Sequence, residues 1–378
     1  MTELSIRNAR IVLADEVVEG SVLVRDGIIA AIEPGASQVG EDFEGEYLIP
    51  GLVELHTDHF ENHYRPRPGV TWHAIAALQA HDAQIAGAGI TTVFDAVRLG
   101  SDPEIGDITD DLAAQVDAIA QADKEDRLRA EHLVHLRCEL PTPDVIEQFE
   151  AHCEKPVVKL ASLMDHTPGA RQYTTLEHYT AYYQKRMRLS DAEMAQFIAD
   201  RQHERDLYSQ KSHDAILAKG REIGLAFASH DDATIAHVDE AVRDGVVIAE
   251  FPTTMDAARA AHGAGLAVLM GAPNVVRGKS HNGNISASEL AREGVLDVLS
   301  SDYVPFALMV AAFMLPDRVD TISLPQSVAL VTRNPAKAAH LDDRGEIAVG
   351  KRADLVRVRK TDSAPVVRGV WRQGKRVS

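Results

Sequence analysis

Pro50 to Asp58, PGLVELHTD, reads as a turn into a buried strand that ends in an imidazole and a carboxylate. Gly51 permits a sharp turn into the strand. His56 and Asp58 stand two residues apart, and residues i and i+2 of a strand project from one face. An imidazole beside a carboxylate at a strand end is half of a metal site. The plainer alternative is a solvated polar strand end.

Working outward, the 49 residues before this stretch read as short strands, with LSIRNARIVL and SVLVRDGIIAAIEP alternating and Asp26-Gly27 as a hairpin signal. The last 35 residues look alike, with Gly345 and Gly350 ahead of ADLVRVRK and VVRGVWRQGKRV. Residues 1–51 and 343–378 are therefore expected to form one small β-sandwich domain built from both termini. Between them, 52–342 repeats a short apolar strand followed by a helical stretch, the pattern of a parallel α/β sheet. Strands are placed at 52–58, 90–96, 131–139, 157–165, 225–230, 246–252, 266–272 and 296–302. Eight such units predict a (β/α)₈ TIM barrel, whose chemistry sits at the C-terminal ends of its strands. Segment 174–222 predicts a helical excursion, with helices over 177–188 and 191–209.

Composition narrows the function classes. The chain has 378 residues and a formal net charge of −18, which argues against nucleic acid and anionic membranes as partners. No apolar run approaches a membrane span or signal peptide, and two cysteines are too few for a disulfide framework. The expectation is a cytoplasmic protein. A homo-oligomer stays open.

PGLVELHTD resembles the first-strand signature of the amidohydrolase superfamily, with His56 at the first histidine and Asp58 where a second is usual. TRNPAKAAHL and GEIAVGKRADLV resemble the elements that close such barrels. HTDHFENHYRPRP, LRCELP, SLMDHTPGARQY, AFASHDDAT, AEFPTT, MGAPNVVRGKSHNGN and LSSDYVP together resemble the diphosphatases of the carbon–phosphorus lyase pathway along nearly the whole chain. The resemblance implies a metal-dependent hydrolase that converts a ribose 1-methylphosphonate 5-triphosphate, a phosphorylated sugar, to its 5-phosphate and pyrophosphate.

It also implies site residues. His230 matches the fifth-strand ligand, and Asp302 matches the eighth-strand aspartate that touches metal and takes a proton from water. Glu139 looks like a third-strand glutamate that replaces a carboxylated lysine in some relatives; the alternative is a salt bridge with Arg137. Lys159 lies within the fourth strand, where an interior ion pair is the expectation over a metal bridge. Asp231 and Asp232 are read as helix caps or as groups orienting His230. The sixth strand ends in EFPTT where a histidine is common; Glu250 is either a substitute or a residue buried in the barrel. One or two divalent ions are expected at His56, Asp58, Glu139, His230 and Asp302, with zinc, manganese, magnesium and iron all compatible.

An anion must still be attracted by so acidic a chain. Arg277, Lys279, Ser280, His281 and Asn284 lie in a glycine-bearing stretch after the seventh strand, suited to cradle phosphate. Arg171 follows the fourth strand, and His166 beside it is a candidate leaving-group acid. Arg65 and Arg67, set between prolines, add charge; His59 and His63 are weaker candidates. Two other readings remain: an amidohydrolase that cleaves a C–N bond, and a non-catalytic barrel scaffold.

Overall fold

The computed structural model describes residues 3–101, 108–171, 176–278 and 284–378. In chain order the strands are β1 (Glu3–Val12), β2 (Val17–Arg25), β3 (Ile28–Pro34), β4 (Glu41–Asp42) and β5 (Tyr47–Pro50). Next come β6 (Leu52–Thr57), β7 (Ile90–Leu99), β8 (Glu131–Glu139), β9 (Val158–Met164), β10 (Ala226–His230), β11 (Ile248–Glu250), β12 (Ala267–Gly271) and β13 (Val298–Ser300). The chain ends with β14 (Leu355–Arg359), β15 (Val366–Arg372) and β16 (Lys375–Arg376).

One sheet draws on both termini, in the order β16-β15-β14-β5-β1-β2-β3, with β4 paired to β1. The Asp26-Gly27 signal is a two-residue hairpin: Arg25 faces Ile28, and both turn residues have positive φ, 47° and 82°. That is the turn geometry matching the twist of paired strands. Alternation then puts Ile6, Ile11, Val22, Val24 and Ile29 into a core completed by Phe43, Leu48, Leu355 and Trp371. Trp371 is 3% exposed and its ring centre lies 5.7 Å from that of Phe43. Trp371→Ala is expected to cost about 3–5 kcal/mol, read as a lowered denaturant midpoint, because it leaves an unfilled cavity.

The second sheet has eight strands in the order β13-β12-β11-β10-β9-β8-β7-β6. The pairs β6–β7, β8–β9, β9–β10, β10–β11 and β11–β12 are all parallel. A parallel bridge between Thr57 and Asp302 makes the first and last strands neighbours. This is the (β/α)₈ barrel, and each of its strands falls where the sequence places it. β6 is buried at all six positions, as a strand covered on both faces must be.

Gly51 has a different role from the one read in sequence. Its φ is not among the positive values, and a Cβ there would stand 2.2 Å from Thr91 Oγ1. Close approach, rather than turn freedom, requires the glycine.

Lys159 is also corrected. It is the second residue of β9 and is exposed, so it forms no interior ion pair and cannot bridge ions at the strand's far end. The helical excursion is present as Leu176–Met187 and Asp191–Ile223. The second of these runs well past residue 209, through Gly220, where a Cβ would meet the Phe227 ring, to Gly224, which closes it with φ 70°. Ser190 and Glu193 open it with a capping box. No helix among the described residues is long and apolar enough to cross a membrane.

The chain divides into two compact units, 1–95 with 121–133 and 270–378, and 96–120 with 134–269. The candidate site residues are described within each.

Candidate active site

In the first unit, His56 is buried near the end of β6 and Asp302 follows β13. Glu54, which the sequence reading passed over, staples these strands. Its carboxyl accepts from His56 N at 2.6 Å, from Ser300 Oγ at 2.8 Å, and from Ser301 N. Burial pushes Glu54 up to about 7. Thr57 Oγ1 donates to Asp302 O at 2.6 Å, and Asp302 N donates to Ser300 Oγ at 3.1 Å. Asp302 adopts φ 55°, a conformation aspartate tolerates better than most residues. Its backbone is thus fixed from both sides before the side chain does anything.

Asp58 departs from the strand argument. β6 ends at Thr57, and Asp58 (φ −94°, ψ 10°) begins the turn into the helix α1 (His59–Tyr64). Strand alternation therefore does not set its direction. Arg65 closes α1. Arg67 starts a tight turn, with Val70 N donating to Arg67 O at 3.0 Å and Gly69 at φ 72°. Arg277 ends the helix Ala272–Arg277 and is exposed, rather than sitting in an open glycine loop. The Arg318 guanidinium bonds the carbonyls of Val275 and Val276 in that helix's last turn. Asn284 is half-buried, just ahead of the capping-box helix Ala287–Arg292. Lys279, Ser280 and His281 lie outside the described residues.

The same unit holds a buried network that no motif announced. His81, on the helix α2 (Ala74–Gly87), places Nε2 2.7 Å from Asp95 Oδ1. His132 Nδ1 lies 2.7 Å from Asp95 Oδ2, and its Nε2 lies 3.4 Å from Asp82 Oδ1. Burial disfavours the charge on Asp95, yet His132 and His81 outweigh it and hold the carboxyl down at about 2. His132 is raised to about 9: burial opposes its charge, but Asp95 and Asp82 prevail. Asp95→Ala should therefore strand a buried imidazolium and destabilise the fold by about 3–5 kcal/mol, measured by chemical unfolding.

In the second unit, Glu139 ends β8 with its carboxylate committed to His166. Oε1 accepts from His166 N at 2.9 Å, and Oε2 lies 2.5 Å from His166 Nδ1. Arg98 stands 3.6 Å away. Burial opposes the Glu139 charge, but His166 and Arg98 hold the carboxyl well below the usual range. His166 in turn is raised to about 9, burial being outweighed by Glu139 and Asp231.

His230 ends β10 beside Glu250, which ends β11, and its Nδ1 lies 3.1 Å from Glu250 Oε2. Burial pushes His230 down to about 3, leaving a neutral imidazole. The Nε2 atoms of His166 and of His230 each lie 3.6 Å from Asp231 Oδ2. That oxygen is buried and has no hydrogen-bond partner. One ligand atom from each of these three residues falls within 4.8 Å of the others.

Asp231, at φ 56°, is therefore not a cap; Thr234 caps the next helix, accepting from His237 N. Asp232 accepts from Ser229 Oγ at 2.5 Å and binds Arg171 at 2.5 Å, while Arg171 also reaches Glu240 at 3.0 Å. Arg171, Arg205, Arg243, Asp165 and His237 line a cavity of about 520 Å³. Arg205 comes from the long helix and lies 2.6 Å from Asp165. Sequence reading missed it, because a helix arginine carries no local signal.

These donors suit a divalent ion. Two imidazole nitrogens and an orphaned carboxylate oxygen converge, and His230 gives its other ring nitrogen to a carboxylate, as metal-ligating histidines do.

A profile of the amidohydrolase family matches residues 264–378. The chain is 48% identical over 375 residues to an alpha-D-ribose 1-methylphosphonate 5-triphosphate diphosphatase of Escherichia coli strain K12, covering 98% of this chain and 99% of that protein. Among solved structures it resembles N-isopropylammelide isopropylaminohydrolase from Burkholderia multivorans, with TM-score 0.67, 18% identity, and coverage of 100% and 98%. It also resembles N-acetylglucosamine-6-phosphate deacetylase from Pasteurella multocida, with TM-score 0.62, 14% identity, and coverage of 99% of each chain. At such identities these two likenesses bear on the fold alone.

Proposed function

We propose, on the premise that this chain belongs to the alpha-D-ribose 1-methylphosphonate 5-triphosphate diphosphatase family of amidohydrolases, that it hydrolyses that triphosphate to the 5-phosphate and pyrophosphate. The substrate rests on the near full-length relative. The observation that carries the chemistry is the convergence of His166 Nε2, His230 Nε2 and Asp231 Oδ2 on one buried point.

We assign donors unit by unit. In the first, His56, Asp58 and Asp302 are the candidates; in the second, His230 with Asp231 and His166, and Glu139 behind His166. A divalent ion bound to such donors polarises a phosphoryl oxygen and acidifies water. Asp302 is proposed to accept the proton of the attacking water. Glu139 takes the Nδ1 proton of His166 as its partner and so turns Nε2 toward the ion; as a ligand His166 keeps no proton for the departing pyrophosphate, and the acid role expected of it is given up here. Arg277, with Lys279, Ser280, His281 and Asn284, is proposed to bind phosphate; Arg65 and Arg67 add positive charge, as do Arg171 and Arg205 lining the cavity.

Loss of one charge-assisted hydrogen bond to phosphate costs about 1.5–3 kcal/mol. Arg277→Ala should therefore lower kcat/KM by roughly tenfold to a hundredfold, since about 1.4 kcal/mol is a factor of ten. Bound metal should stay unchanged. A monoanionic test ester should suffer much less; equal loss on both substrates would make Arg277 a structural residue only. The reading as a whole is tested by pyrophosphate release against a panel of cyclic amides. Amide cleavage without pyrophosphate would favour the C–N alternative.

A further inference from the structure

α1 and α2 bring together three imidazoles that the proposed catalysis does not use. His59 and His63 lie four residues apart on α1 and so share a face, while His81 comes from α2. The ring centres are 5.1 Å apart for His59 and His63, 5.4 Å for His59 and His81, and 6.1 Å for His63 and His81. One ring nitrogen from each lies within 4.8 Å of the others, and the Nδ1 atoms of His59 and His81 are 3.2 Å apart. Imidazoles sharing a tetrahedral zinc, with Zn–N of about 2.0–2.1 Å, hold their donor atoms roughly 3.3 Å apart and their ring centres roughly 5 Å apart. The cluster already has close to that spacing.

The surroundings fix which nitrogens are available. His81 gives its Nε2 proton to Asp95 at 2.7 Å, which leaves the Nδ1 lone pair facing His59. Gln84, three residues beyond His81 on α2, takes a hydrogen bond from His63. Both are the outer partners that orient a ligating histidine and raise its basicity. His59 and His63 are half-buried, so an ion can reach them from solvent.

We infer that His59, His63 and His81 form a second divalent-metal site, of the imidazole-rich type that takes zinc or a neighbouring transition metal rather than magnesium or calcium. Its role is to pin α1 to α2. With six residues, α1 is far shorter than a helix that stands by itself, and it carries Asp58 at its start and Arg65 at its end.

The test uses the full chain stripped of metal with a chelator and then dialysed against zinc, with bound zinc counted by elemental analysis. Wild type should bind one zinc per chain more than His63→Ala. Gln84→Leu, which removes no ligand, should keep the zinc but bind it roughly 10–100-fold more weakly. Excess magnesium should not displace it. His63 is half-exposed, so its truncation should leave the fold intact, checked by near-ultraviolet circular dichroism. Should that variant misfold, the affinity of folded Gln84→Leu decides alone. Equal zinc content in wild type and His63→Ala, or unchanged affinity in Gln84→Leu, overturns the site. None of these readouts depends on the substrate the enzyme uses.

Discussion

Asp302→Asn is expected to lower kcat by about 10²-fold or more, the scale of lost general-base catalysis. The substitution keeps the size of the side chain and removes the proton acceptor. The backbone around it should hold: Thr57 Oγ1 and Ser300 Oγ grip Asp302 O and N, and neither bond involves the carboxylate. Any loss is therefore chemical rather than structural. Steady-state kinetics on the triphosphate check it, with a thermal melt to confirm the fold. An unchanged kcat with only KM raised would remove Asp302 from the proton transfer.

His230→Ala should lose bound metal and, with it, turnover. Removing an outer partner of a metal-bound histidine already costs about 10–100-fold in affinity, so removing the ligand itself should cost more. The geometry sharpens this expectation. Glu250 occupies Nδ1, leaving Nε2 directed toward Asp231 Oδ2. Elemental analysis beside the activity assay would show whether the two losses occur together. Full metal content in His230→Ala would place the ion elsewhere.

The barrel was legible because its signal is local. Each strand is a short apolar run followed by helix-forming residues, and that alternation survives without any knowledge of partners. The positions of His56, His230 and Asp302 at or just past strand ends were legible for the same reason. Asp231 was read as a cap or as a group orienting His230, and the cap half of that reading fails because an acidic residue ahead of a helix need not be the one that caps it. Here the chain turns through φ 56° and Thr234 does the capping, so the carboxylate is left to face His166 and His230. Asp58 was assigned a strand direction that ends one residue too early for it. The His81–Asp95–His132 network could not have been read at all. Its members sit inside a helix and two strands, more than ten residues apart, and only folding makes them neighbours. Glu54 was hidden in plain view within PGLVELHTD, overshadowed by the ionisable pair that follows it.

The most direct test of the central claim is ³¹P NMR of alpha-D-ribose 1-methylphosphonate 5-triphosphate incubated with the metal-loaded protein. The account predicts pyrophosphate and the 5-phosphate appearing in equal amounts, with both signals abolished by a chelator and restored by a divalent ion. Release of single orthophosphates, or pyrophosphate formation that persists undiminished after complete metal removal, would contradict it.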